Sequence, residues 1–376
     1  MSQENDISAT FWNPAALAFL PKREIQGSAD YLRQSNEGTI FGRTEALSLS
    51  RLRISTLGII RALPTAQGGF TLGFAFQNPI VFSDVERFIA DYYSLDGDTN
   101  YYTDSDYRAY GDLNFWTGSF GMQVARGFGI GASASFISGG DREAHNFHRT
   151  ANGAVVNPFN SYYDRTVERH YAGYDFRFGA LFRPSDLLSV GIRIVMPKSI
   201  WFSEDLLENY PSTSESDYTA SYKGKLLGSF EGGIGASSSL PVGTFSAEVH
   251  ARAPYTLAYP DLRIPGESPA FTAKIGGSAG VEIPIRSLLL RGGYGIDEED
   301  PFLLARTYDK TPIDWSMGDL ALNPYRQRLT AGICYIAETY CLDFSYGYLF
   351  WGSTQRKTLT SDSNLHRLLV SVSVRY

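Results

Sequence analysis

Apolar residues recur along this chain at every second position, in stretch after stretch, and almost never with a helical period. The C-terminal run LLVSVSVRY sets Leu368, Val370, Val372, Val374 and Tyr376 on one side of an extended chain, opposite Arg367, Ser371, Ser373 and Arg375. Side chains of a strand point alternately to its two faces, so each such run is a strand with one apolar and one polar face. The same switch runs through Phe70, Leu72, Phe74 and Phe76, and through Tyr174, Phe176, Phe178, Ala180 and Phe182. Alternation fixes the period without saying which face is outside. A soluble sandwich turns the apolar face inward and a membrane barrel turns it outward.

These runs place strands near 25–35, 45–63, 69–77, 111–126, 128–139, 165–183, 186–197, 217–239, 244–258, 270–283, 287–297, 324–338, 340–351 and 364–376. That makes about fourteen, an even number of the kind bacterial outer-membrane barrels have. The connections decide the orientation. Tight turns follow the even-numbered strands, at 64–68, Gly127, 184–185, 240–243, 284–286 and 337–339. Long polar excursions follow most odd-numbered strands, at 78–110, 140–164, 198–216, 259–269, 298–323 and 352–363. Sorting loops by length to opposite ends suits a barrel with short periplasmic turns and long outer loops. The apolar faces are therefore expected to meet lipid, and the polar faces to line a lumen.

Composition fits this reading, with 24 Tyr, 24 Phe and 37 Gly and only 19% charged residues, because aromatics suit strands. No run approaches the roughly 20 apolar residues of a membrane helix. A net charge of -7 lacks the basic footprint of a nucleic-acid binder. The segment SQEND after Met1 has no secretory-signal character, so either a signal has been removed or the natural start lies elsewhere.

Near the start stands SATFWNPAALAF. Asn13-Pro14 initiates a turn, and the small residues after it permit close packing. Set before a barrel, Trp12, Asn13, Pro14, Ala15 and Leu17 resemble the plug motif of FadL-type outer-membrane transporters of long-chain fatty acids and other hydrophobic compounds. The segment is also similar to that of PorV-type barrels associated with protein secretion, which often carry an aromatic before Asn-Pro-Ala, as Trp12 does. Val370, Val372, Val374 and Tyr376 resemble the C-terminal signal by which the barrel assembly machinery recognises its substrates. The expected fold is thus an all-β transmembrane antiparallel β-barrel of about fourteen strands, with residues 1–24 as a short lumenal plug and 25–376 as the barrel. FadL-type proteins normally carry a longer Gly/Ala-rich segment before the motif; twelve residues precede it here, so a reduced plug or a missing beginning is expected.

The resemblance implies a channel that passes hydrophobic small molecules, with outer-membrane lipid, lipopolysaccharide and the apolar ligand as partners and no cofactor. The PorV likeness implies instead a scaffold with a protein partner. The FadL likeness also implies an irregular third strand opening the wall sideways, which falls on Gln77, Asn78 and Pro79, since Pro cannot donate to a ladder. In the loop after it, Ser83 or Asp84 is placed to cap a helix with Val85, Phe88, Ile89 and Tyr92 on one face, an amphipathic helix expected either to cap the barrel or to form an apolar capture groove. Inward glycines such as Gly129, Gly131, Gly276 and Gly280 fit either a segment packed inside or sharp coiling of the wall. Arg177, Arg193, Arg252, Arg291 and Arg326 face the lumen as ion-pair partners or ligand contacts. Cys334 and Cys341 flank a hairpin and, with Ala337-Glu338 as its turn, would be opposed within disulfide range. His145 and His148 lack supporting metal ligands, no Gly-x-Ser-x-Gly elbow occurs, and no enzyme is expected.

Overall fold

The computed structural model describes residues 6–20, 23–40, 42–93, 100–152, 161–209, 217–253, 255–258, 270–271, 274–298, 325–355 and 359–376. Its strands are β1 (Glu24–Ile40), β2 (Arg43–Leu63), β3 (Phe70–Tyr93), β4 (Asn100–Ala125), β5 (Phe128–Asn152) and β6 (Ser161–Ser185). Four follow that are each interrupted once: β7 (Leu188–Val195, Ser199–Asn209), β8 (Tyr218–Leu227, Glu231–Leu240), β9 (Gly243–Arg252, Tyr255–Ala258) and β10 (Ala270–Phe271, Lys274–Ile285). The last are β11 (Leu288–Glu298), β12 (Tyr325–Ile336), β13 (Tyr340–Gln355) and β14 (Leu359–Arg375). Each pairs antiparallel with the next, and β1 pairs with β14 from Glu24 opposite Arg375 to Ile40 opposite Leu359. The result is a closed barrel of fourteen strands. Closure matters because every backbone donor and acceptor in a bilayer needs an internal partner.

The faces divide as the alternation requires. Phe178 on the outside is 49% exposed, while its strand neighbours Asp175 and Arg177 are buried. An aromatic girdle crosses the outside of β3 to β7. Phe76 meets Trp116 at 4.8 Å, Trp116 is opposite Phe136, Phe136 meets Tyr174 at 5.8 Å, and Tyr174 meets Trp201 at 6.0 Å. Aromatic rings gather at the membrane–water boundary, so the girdle marks the outer edge of the apolar belt.

Above this girdle the structure departs from the expected loops. β3 to β6 continue as paired strands deep into 78–110 and 140–164, rising as a tall sheet. The expected loop at 259–269, and all of that at 298–323 except Glu298, lie outside the described residues. The helix expected around Val85, Phe88 and Ile89 is strand, paired with β4 as far as Tyr93 opposite Asn100; the Tyr92 side chain lies outside the described residues. The reason is a register break. Gln77 faces Phe115 but Ile80 faces Leu113, so Asn78 and Pro79 form a bulge. The β2–β3 ladder ends at Thr56 opposite Gln77, although both strands run on. Beyond the bulge β3 passes across the inner face of β1, where Gln34 reaches Asp84 at 3.5 Å and Gly38 sits against the Phe88 ring. A strand covered on both faces needs apolar residues on both. Val85, Phe88 and Ile89 supply them and so imitate a helical period.

Candidate functional site: plug, lumen and wall seam

The plug is built from residues 6–20. A helical turn, α1 (Ala9–Trp12), leads through extended Asn13 into a 3-10 helix, Pro14–Phe19. Pro14 starts the 3-10 helix because its missing N–H would have no partner there. Asn13 caps it by accepting from the Ala15 N–H at 3.1 Å. Small residues at 15, 16 and 18 let the plug lie flat against β3 to β6, where Ala75, Leu181 and a row of inward glycines face it. A Cβ at Gly121 would lie 2.6 Å from the Ala18 nitrogen and 2.7 Å from the Leu17 Cβ, and one at Gly73 would lie 2.7 Å from Thr10 Cγ2. Gly131 and Gly179 meet the backbone of Pro14 and the side chain of Asn13 just as closely. On this arc a packed segment explains the glycines. On the far arc, Gly276 faces the ring of His250 and Gly280 faces Ser246 and Gly292, with no described plug residue near.

Three arginines among the described residues touch the plug: Arg177, Arg193, and Arg183, whose guanidinium lies 4.6 Å from the Phe19 ring centre. Arg177 donates to the Phe11 carbonyl at 2.8 Å, stacks its guanidinium 3.3 Å from the Phe11 ring centre and bonds Asp175 at 2.5 Å. Arg193 lies 5.4 Å from the Trp12 ring centre. Above the plug, Phe11, Phe82, Leu113, Phe115, Ile137, Tyr171, Ile200 and Phe202 pack into an apolar cluster inside the barrel. Higher still, beyond the girdle, Arg169 lies among Asp141, Glu143 and Glu204. Burial opposes its charge, yet these carboxylates hold its pKa well above the ordinary arginine value.

Where β3 leaves the wall, β2 overlaps the outside of the inward-curling sheet. Arg53 bonds Asp30 at 2.6 Å and Asp112 of β4 at 3.0 Å, and Arg51 also bonds Asp112. Arg367 reaches Asp30 at 2.6 Å, so an ionic chain runs from β14 through β1 and β2 to β4. The outer edge of β2 is uncovered here: Leu52 is 76% and Ile54 54% exposed. Just inside lies a cavity of about 410 Å³ whose lining includes Pro79, Ile80 and the three arginines 326, 328 and 367.

These features can be set beside known structures. The chain aligns over 99% of its length with 94% of a FadL homologue of Pseudomonas aeruginosa, at 14% identity and a TM-score of 0.63. The toluene transporter TodX of Pseudomonas putida gives 11% identity and 0.63, and the monoaromatic hydrocarbon channel CymD 12% and 0.59; each is covered over 94% of its length. The fold is that of the FadL-type outer-membrane channels. No protein-family model and no curated protein matches the sequence.

The remaining sequence-derived candidates fall as follows. Trp12, Asn13, Pro14, Ala15 and Leu17 all belong to the plug. Arg252 pairs with Glu231 at 3.4 Å, and Arg291 with Glu282 at 2.8 Å and with Asp343. Arg326 lies 4.1 Å from the Trp351 ring centre. Val370, Val372, Val374 and Tyr376 face outward on the last strand. Cys334 and Cys341 are bridged with Cα atoms 6.7 Å apart, but they are diagonal neighbours rather than opposed. Cys341 faces Ile336 and Cys334 faces Asp343, because the turn sits one residue later than Ala337-Glu338: the Ala337 N–H donates to the Tyr340 carbonyl at 2.9 Å, leaving Glu338-Thr339 as the turn. The sequence reading missed Arg367 and Phe11. Alternation showed Arg367 to be inward, but carried no sign that it meets Arg326 and Arg328 across two intervening ladders.

Proposed function

We propose that this protein is an outer-membrane channel for hydrophobic small molecules, which enter from outside past the buried charges around Arg169, reach the apolar cluster around Phe82 and Phe115, and leave sideways into the bilayer at the seam between β2 and β3. The observation that carries this reading is the end of the β2–β3 ladder at Thr56 and Gln77, with both strands continuing past it. A cylinder wall in lipid does not ordinarily leave backbone groups without a neighbouring strand. Here the gap lies beside an apolar outer edge, Leu52 and Ile54, and an apolar inner lining, Pro79 and Ile80. An apolar molecule crossing there avoids the water-filled, charged part of the lumen. The plug occupies the periplasmic end and blocks the straight path. The solved channels of like fold, named for toluene and monoaromatic hydrocarbons, support the choice of ligand class.

The test is toluene flux into liposomes carrying the purified barrel. Deleting Asn78 and replacing Pro79→Val restores the register and supplies the missing donor. Flux should fall to near the protein-free rate while the barrel stays folded. Unchanged flux in that variant would remove the seam from the pathway. No flux in either protein, with a partner protein firmly bound, would favour the scaffold role.

A further inference from the structure

The outward face of the tall sheet changes character just beyond the aromatic girdle. One rung past the girdle, Gly140, His170, Ser203 and Lys223 are joined across β5 to β8, and Lys225 lies opposite Trp201 within the girdle itself. The Lys225 ammonium sits 5.1 Å from the Trp201 ring centre. Consecutive outward residues of a strand stand about 7 Å apart, so Lys223 and Lys225 hold two cations in line at the edge of the apolar belt. Among the described residues neither lysine has an ion-pair partner. The next two rungs supply Arg142, Glu168, Asp205 and Ser221, then Leu207 and Thr219, which line an open cavity of about 530 Å³ on the same outward face. Arg142 and Glu168 pair at 3.5 Å with both side chains 50% exposed, and Asp205 accepts from the Ser221 hydroxyl at 2.6 Å. Carboxylates accept from hydroxyls and a guanidinium donates to them, so this lining suits a ligand dense in hydroxyl groups.

We propose that the outer face of β5 to β8 docks the phosphorylated sugar head of an outer-leaflet glycolipid, lipopolysaccharide, with its phosphates on Lys223 and Lys225 and its core sugars in the cavity beyond them. The girdle sets the height, because aromatic rings gather at the membrane–water boundary, where such a head group begins. Charge follows the same order: the unpaired cations lie next to the girdle, where phosphate forms charge-assisted bonds with an ammonium, and the hydroxyl-rich lining lies farther out, where only sugar remains. Arg169, between Glu168 and His170 in the chain, points to the opposite face and into the buried charge cluster. The docking face is thus separated from the lumen by the thickness of the sheet.

The experiment titrates three lipids into the full chain in detergent micelles and follows binding by native mass spectrometry: lipopolysaccharide of rough chemotype, lipid A without core sugars, and phosphatidylglycerol. Lys223→Gln with Lys225→Gln should weaken lipopolysaccharide and lipid A about 25-fold, roughly fivefold for each cation lost at a charged membrane surface. Phosphatidylglycerol, with one phosphate and no sugar, should weaken by no more than about fivefold. Asp205→Asn with Thr219→Ala should weaken lipopolysaccharide roughly tenfold through lost hydroxyl bonds and leave lipid A within about twofold. Lys223→Arg with Lys225→Arg, which keeps the charges, should hold lipopolysaccharide within about threefold and guards against a folding defect. Toluene flux should be unchanged in every variant, so the outcome stands apart from the transport reading. Undiminished lipopolysaccharide binding in the glutamine pair, or an equal loss for phosphatidylglycerol, would overturn the docking face. An equal loss of lipopolysaccharide and lipid A on changing Asp205 and Thr219 would overturn the placing of the sugars.

Discussion

The two arcs of the inner wall use the same residue types for different ends. On β3 to β6, Gly73, Gly121, Gly131 and Gly179 are small because the plug lies where side chains would be. On β9 to β11, a Cβ at Gly280 would meet nothing closer than 3.4 Å, and the space beside it is a polar cavity of about 260 Å³ lined by serines, Arg291 and Arg328; Gly276 and Gly293 on the same arc are approached instead by wall side chains, His250 at 2.4 Å and Thr330 at 2.8 Å. The first arc is packed by the plug; the second is open beside Gly280 and is filled elsewhere by its own side chains. A glycine in a strand thus marks close approach only where something is present to approach.

This contrast can be broken in graded steps. The largest change should come from deleting residues 6–20: planar-bilayer conductance should rise from near zero to that of a wide pore, since nothing then fills the packed arc. Next is Arg177→Met, which removes the bond to the Phe11 carbonyl and leaves buried Asp175 without its cation. Breaking a buried pair in this way costs about 3 kcal/mol, read as a lower unfolding midpoint in urea and as faster amide exchange in residues 9–19. Gly121→Val should cost less, about 1–3 kcal/mol of overpacking, and should raise conductance in bursts as the plug loosens. Gly280→Ala, the matched change on the open arc, should shift stability by under about 0.5 kcal/mol and leave conductance unchanged. Equal effects at 121 and 280 would mean that the arcs do not differ.

Much of this was legible in the sequence, because period-2 patterning and loop sorting are both consequences of a barrel in a bilayer. Fourteen strands, their facing and the plug motif follow from local residue order. What escaped depends on how distant segments meet. The helix expected at Val85, Phe88 and Ile89 failed because that strand is covered on both sides, a condition that alternation cannot announce. The hairpin turn lies one residue later than expected, which shifts every partner by two and moves Cys341 from Cys334 to Ile336. The inward arginines all have the same standing in the alternation pattern. The fold divides them into plug anchors at 177 and 193, wall ion pairs at 252 and 291, and a cavity lining at 326, 328 and 367. That division comes from which strands curl toward one another.

The seam itself is open to a direct measurement. In a Cys334→Ala, Cys341→Ala background, two cysteine pairs can be compared for oxidative cross-linking in membranes: Thr56→Cys with Gln77→Cys, the last pair of the ladder, and Leu52→Cys with Val81→Cys, which would be opposed if the ladder ran on. Rapid bridging is expected for the first pair, since opposed Cα atoms lie within about 5.5 Å, and none for the second. Comparable bridging of Leu52→Cys with Val81→Cys would show a continuous wall and contradict the sideways exit.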